Sequence, residues 1–215
     1  MQGLAPSPEE AEALFTGPDG SFRFARWSRP IAPVVFGATD DSVAPLKAAM
    51  ATVVLAANHR LAETDPELGA NLMIFFLTDW AELAEVENMD RLVPDLPALL
   101  PRLKAEEADQ YRFFRFEEDG SIKAAFVFLR MTGALAGMPA ADLGMEQMLK
   151  TMLLWAPGAF AGRSALARVE GRTEAVLRPD LTSLLRAAYD PVLPAASQDP
   201  VLAMRLAARA GQLFN

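Results

Sequence analysis

The sequence predicts an α+β domain, a mixed sheet of about four to five strands covered by helices and followed by a helical C-terminal subregion. Three observations predict it. Strand-like segments occupy the first two thirds of the chain and helical ones the rest. The stretch Ala70-Asn71-Leu72-Met73-Ile74-Phe75-Phe76-Leu77 is almost continuously apolar and of strand length, as suits a strand covered on both faces. Asp119-Gly120 sits between aromatic and β-branched runs, the signature of a hairpin. No repeat or composition shift divides the chain, so residues 1–22 read as an N-terminal extension with a short helix and 23–215 as one domain.

Pro8 to Phe15 predicts a short acidic helix, closed by the turn Gly17-Pro18-Asp19-Gly20. Arg23 to Trp27 and Ile31 to Phe36 read as extended, with Pro33 marking an edge or a bulge because it cannot donate to a ladder. Asp40, Asp41 and Ser42 offer an N-cap for a helix whose apolar positions, from Val43 to Leu61, carry it to about Glu63. After the central apolar strand, Asp79 to Asn88 and Ala98 to Asp109 read as helices separated by prolines. Tyr111 to Phe116 and Ile122 to Arg130 form the hairpin strands. Ala140 to Trp155 is helical, Pro157 to Gly171 an irregular connection, and Pro179 to Tyr189 and Asp199 to Leu213 are the last helices.

Composition excludes several chemistries. The 215 residues carry 20 Lys and Arg against 28 Asp and Glu, a net charge of −8, with one histidine and no cysteine. Thiolate nucleophiles, disulfides and cysteine-ligated metals are absent, and a zinc held by two histidines of one chain is impossible. No basic cluster offers a nucleic-acid surface. The apolar runs are too short to span a membrane. Met1 to Glu12 lacks the pattern of a signal peptide, which predicts a cytoplasmic protein, or an extracytoplasmic one if a leader has been removed.

Few residues invite a chemical role. His59 is the single imidazole and falls off the apolar stripe of its helix, which predicts a solvated histidine; the alternative places it beside Asn58 in a cleft. Asp142, Glu146 and Lys150 form a polar stripe at four-residue spacing, read as a surface ion pair, or with Glu146 as a general base. Met138, Met145, Met148 and Met152 read as core filling before a copper site, and Trp27, Trp80 and Trp155 as core or cleft wall. Phe113, Phe114 and Phe116 interleave with Arg112 and Arg115, yet acidic neighbours argue against base stacking; the arginines are expected to pair with adjacent carboxylates at the rim. No phosphate loop or nucleophile elbow occurs.

Arg26-Trp27, Pro30-Ile31, Phe36-Gly37, Ala70-Asn71, Gly120-Ser121-Ile122 and Asp180 through Leu184-Leu185-Arg186-Ala187-Ala188-Tyr189-Asp190-Pro191 together resemble a bacterial zincin-like family of unknown function, over about residues 23 to 210. The resemblance implies a zincin-like layout, in which the helix after the sheet carries metal ligands as His-Glu-Glu-Leu-x-Gln. The matching stretch here is Met145-Glu146-Gln147-Met148-Leu149-Lys150, which keeps only Glu146. The resemblance therefore implies a scaffold without its metal site.

The resulting expectation is a non-catalytic binding or accessory domain with no cofactor and no metal, taking a peptide or protein in a cleft formed by Asn71, Glu146, Lys150 and Trp155. Two alternatives stand beside it. One is a metallopeptidase-like hydrolase using Glu146, with His59, in an unrecognised site. The other is a structural subunit packing through its C-terminal helices.

Overall fold

The computed structural model describes residues 5–169, 171 and 175–212. Its elements run α1 (Pro8–Ala13), β1 (Phe24–Ala25), β2 (Pro33–Phe36), α2 (Asp40–Ala56), β3 (Leu72–Leu77), α3 (Glu82–Glu85), α4 (Met89–Leu92), α5 (Leu96–Ala105), β4 (Gln110–Phe116), β5 (Ile122–Arg130), α6 (Gly133–Ala136), α7 (Ala140–Met152), β6 (Leu166–Arg168), β7 (Ala175–Leu177), α8 (Pro179–Ala188), β8 (Ala196–Ser197) and α9 (Val201–Gln212). The main sheet is mixed, in the order β2-β3-β5-β4: β2 and β5 flank β3 in parallel, and β4 pairs with β5 antiparallel. This is the predicted α+β class.

The apolar run forms β3 in the interior of the sheet, and Pro33 opens the edge strand β2, where a missing N–H costs no ladder bond. Alternation along β5 divides the molecule into layers. Ala125, Val127 and Leu129 enter the main core with α2, α7, α8 and α9, while Ala124, Phe126 and Phe128 meet Trp80, Leu83, Leu99 and Leu103 on the other face. Between β4 and β5, Gly120 adopts φ +82° and its N–H bonds the Glu117 carbonyl at 3.0 Å, a tight turn that suits glycine. Among the described residues no helix is long and apolar enough to cross a membrane.

Several boundaries depart from expectation. The long helix ends at Ala56 instead of near Glu63. Asn58 takes a left-handed φ of +56°, and the His59 and Asn58 amides bond back to Val54 at 3.0 Å and Leu55 at 2.9 Å, a Schellman cap. Leu61 thus leaves the helix and bridges Ile31. The N-cap is Thr39, one residue before the expected acidic pair. The helix expected over 79–88 shrinks to the single turn α3, because Val86 is extended and Asn88 is left-handed. The helix expected over 98–109 becomes α5, starting two residues earlier with Pro97 in its first turn, where the proline forfeits no helical bond. The helix expected to reach Trp155 stops at Met152. Leu153 turns extended and bridges Arg26, and the Leu154 amide bonds the Ala25 carbonyl at 2.9 Å.

Pairings at a distance account for the rest. The connection expected to be irregular holds β6, which pairs with β7; residue 170 of that connection lies outside the described residues, as does Leu213 of the last helix. The strand β1, inside the segment expected to be extended, pairs antiparallel with β8, which the sequence did not reveal. The N-terminal segment belongs to the main core: Ala11, Phe15 and Phe22 are buried in it, and α1 packs on α9. Ser7 caps α1 reciprocally with Glu10, its hydroxyl accepting from the Glu10 amide at 3.2 Å and its amide donating to the Glu10 carboxylate at 2.9 Å.

Candidate functional site

The C-terminal end of α7 organises the site. A helix leaves its last four carbonyls without intrahelical partners, and here side chains from three directions meet all four. Trp155 Nε1 donates to Leu149 O at 2.9 Å, Arg112 to Lys150 O at 3.4 Å, Trp27 Nε1 to Thr151 O at 2.8 Å, and the Tyr189 hydroxyl to Met152 O at 2.7 Å. These bonds pin the end of α7 to β4, to the N-terminal segment and to α8. They also leave a cleft of about 1060 Å³ between the edge strand β4, the end of α7, the 154–161 segment and residues 15–23.

One wall is aromatic. Trp155 stacks on Phe15 with ring centroids 5.3 Å apart and 11° between planes, and Phe160 meets Trp155 edge-on at 5.2 Å. The floor is β4. The Arg130 amide bonds the Asp109 carbonyl at 2.8 Å, which sets the parity of the ladder: Tyr111, Phe113 and Arg115 turn their backbone groups toward β5. Gln110, Arg112 and Phe114 turn theirs outward, toward solvent at the sheet edge. Their side chains lie on the face of α7, and all three line the cleft. A smaller recess of about 410 Å³ continues the cleft past Phe116; Arg23 and Leu154 line both.

The polar centre joins β4 to α7. Arg112, half-buried, donates to Gln110 Oε1 at 3.0 Å and to Gln147 Oε1 at 2.9 Å, and Gln147 Nε2 donates to Gln110 Oε1 at 3.2 Å. Lys150 pairs with Glu146, and its ammonium stands 5.7 Å from the centroid of the Phe160 ring. Burial pulls the Arg112 pKa down to about 10, against the opposing pull of Glu146, so the guanidinium stays charged at neutral pH. Burial likewise lowers the Lys150 pKa, partly offset by Glu146.

Of the four residues expected to form the cleft, Lys150 and Trp155 line it. Glu146 stands behind Lys150, its side chain 13% exposed, so the stripe expected on the surface is largely covered. Asp142 on the same stripe is buried and pairs with Arg168 at 3.2 Å. Asn71 lies elsewhere. It is buried at the entry to β3, where its carbonyl accepts from the Ala32 amide at 2.7 Å and its amide donates to Pro30 O at 2.9 Å and Asp65 at 3.0 Å. This clamp holds β2 to the loop before β3, which is a folding role.

His59 is half-buried and does not line the cleft. Its Nε2 contacts the Arg29 carbonyl at 3.0 Å and its ring packs on Tyr189 at 4.7 Å. Burial lowers its pKa, the Arg29 contact opposes this, and Arg26 and Arg60 reinforce it. Met148 and Met152 are fully buried in the main core, with Met138 and Met145 packed against it. Among the described residues no group of three or more His, Asp or Glu side chains could hold a metal ion.

Arg112 was the residue least visible in the sequence. Expected to pair with carboxylates at a rim, it makes no ion pair among the described residues and instead holds two amides and a helix carbonyl. Arg115 departs in the same way, bonding Leu92 O at 3.2 Å and lying over the Phe126 ring at 5.3 Å. The available signal was the alternation Gln110, Arg112, Phe114 on one face of a strand, which acquires meaning only once that strand is at the edge of the sheet.

Comparison with protein-family models, curated proteins and solved structures finds no match to this chain, so the site is interpreted from its own geometry.

Proposed function

We propose that this protein is a non-catalytic, zincin-like domain that binds an extended peptide segment of a partner protein along the outer edge of β4. The supporting observation is the position of the cleft: it runs beside an edge strand whose backbone N–H and C=O groups at Gln110, Arg112 and Phe114 face outward without partners among the described residues. An added strand satisfies such groups, and the cleft walls read its side chains. The volume stands at the upper end of the range for small-molecule pockets, which suits several residues of chain.

Hydrolysis through Glu146 has less support. A general base must reach the proton it removes and needs a group that polarises the target. Glu146 is held against Lys150, no metal-ligand cluster accompanies it among the described residues, and His59 sits in a different part of the molecule. The structural-subunit alternative is weakened by α9, whose apolar residues Leu202, Ala203, Leu206 and Ala207 are already buried in the main core.

Hydrogen exchange tests the proposal, with a strand-forming peptide as probe. Binding is expected to slow exchange at the Gln110, Arg112 and Phe114 amides while leaving Tyr111 and Phe113, already bonded to β5, little changed. Trp155→Ala should weaken binding by about tenfold, the scale of an aromatic anchor. Unchanged exchange along β4 in the presence of saturating peptide would defeat the reading.

A further inference from the structure

We infer that the cleft selects a peptide carrying a single acidic side chain flanked by apolar ones, with Arg112 as the residue that reads the carboxylate. The inference rests on the peptide-binding reading and names the chemistry of its occupant. In a chain of net charge −8, the cleft is closer to neutral: Arg23, Arg112 and Lys150 line it against Asp19 and Asp109, with Glu146 paired to Lys150 behind. Arg112 is the cation best placed to receive an anion. Its three hydrogen bonds go to neutral oxygens, on Gln110, Gln147 and the Lys150 carbonyl. A guanidinium has five N–H donors; both on Nη2 and one on Nη1 are committed, so Nε–H and one Nη1–H remain, each able to make a single charge-assisted bond to a carboxylate oxygen.

The surroundings limit how much negative charge the ligand can carry. Lys150 already holds Glu146, and it contributes field more than a free bonding site. The recess beyond Phe116 is lined by Glu118 and Asp119, which oppose a second acid there. Trp155, Phe15 and Phe160 form the wall beside the polar centre and favour apolar neighbours. In a strand, alternate residues share a face, so an apolar-x-acid-x-apolar pattern presents all three groups to the cleft together.

The test uses peptides with both termini blocked, of sequence Thr-Val-Thr-Glu-Thr-Val-Thr, with Gln or Lys replacing the Glu, and a fourth that carries Gln at the centre and a free C-terminal carboxylate. Trp27 and Trp80 are fully buried, so a change in tryptophan fluorescence on titration reports chiefly on Trp155 in the cleft wall. The Glu peptide should bind about tenfold more tightly than the Gln peptide, and the Lys peptide more weakly still, a preference that falls as salt rises. Arg112→Gln should remove the difference between Glu and Gln. Equal affinity for Glu and Gln peptides in the native protein overturns the inference while leaving the peptide-binding reading intact, and so does tightest binding by the peptide with the free C-terminus. No response to any peptide overturns both. Because the decisive comparison is among peptides on the native chain, it stands even if the Arg112 variant folds poorly.

Discussion

The Tyr189 hydroxyl donates to the Met152 carbonyl at 2.7 Å and so closes the last of the four open carbonyls at the end of α7. Both residues are buried, and burial pushes the Tyr189 pKa up, so the phenol remains a proton donor across the usable pH range. The bond ties α8 to the helix end that forms one side of the cleft. Arg26 covers the same ring, with its guanidinium carbon 5.5 Å from the centroid.

Tyr189→Phe keeps the ring and its packing while removing the donor. It leaves Met152 O buried without a partner, and the expected loss is about 1–3 kcal/mol of unfolding free energy. Urea denaturation measures this directly. A loss below about 0.5 kcal/mol would mean that the carbonyl finds another donor.

The crossing of α2 and α7 admits no side chain at Gly144. A Cβ there would lie 2.5 Å from the Leu46 carbonyl oxygen and 3.1 Å from the Leu46 Cα, both backbone atoms that cannot step aside alone. Gly144→Ala should therefore destabilise the protein by about 1–3 kcal/mol despite alanine's better helix propensity. Gly211, on α9, has nothing within 4 Å of the same position. Gly211→Ala should be neutral or stabilising by up to about 1 kcal/mol. Thermal or chemical melts of the pair check the contrast, and similar effects at both sites would refute the account of close helix approach.

His59 should make stability depend on pH. Its folded pKa lies below the ordinary value of 6.5, first because burial penalises the imidazolium. The unfolded chain then binds the proton more readily than the folded one, so stability is fully present above about pH 6.5 and falls as the pH drops below it. The decline from this group ends at the folded pKa, below which both states are protonated. His59→Gln should flatten the slope of unfolding free energy between about pH 6.5 and 5, a range above the ordinary carboxylate titrations. Identical slopes for the two proteins would show that the imidazole does not carry the effect.

Residue pattern alone determined the α+β class, the interior position of β3, the hairpin of β4 and β5, and the identity of α7 as the helix following the sheet. Those features arise from periodicity and turn chemistry, which act over a few neighbours. Lys150, on the polar stripe of α7, and Trp155, just past the end of that helix, were expected in a cleft and line one here. The structure was needed for the ends of α2 and α7, the roles of Asn71 and His59, and the partners of Arg112. The end of α2 is set by its own cap at Asn58, but for the others the deciding bonds include ones that span a long stretch of chain, as from Trp27 to Thr151 or from Arg112 to Gln147, and a local pattern carries no trace of them. Which side of β4 stays open is a property of sheet order, settled when β5 pairs with β3 on one side and β4 on the other.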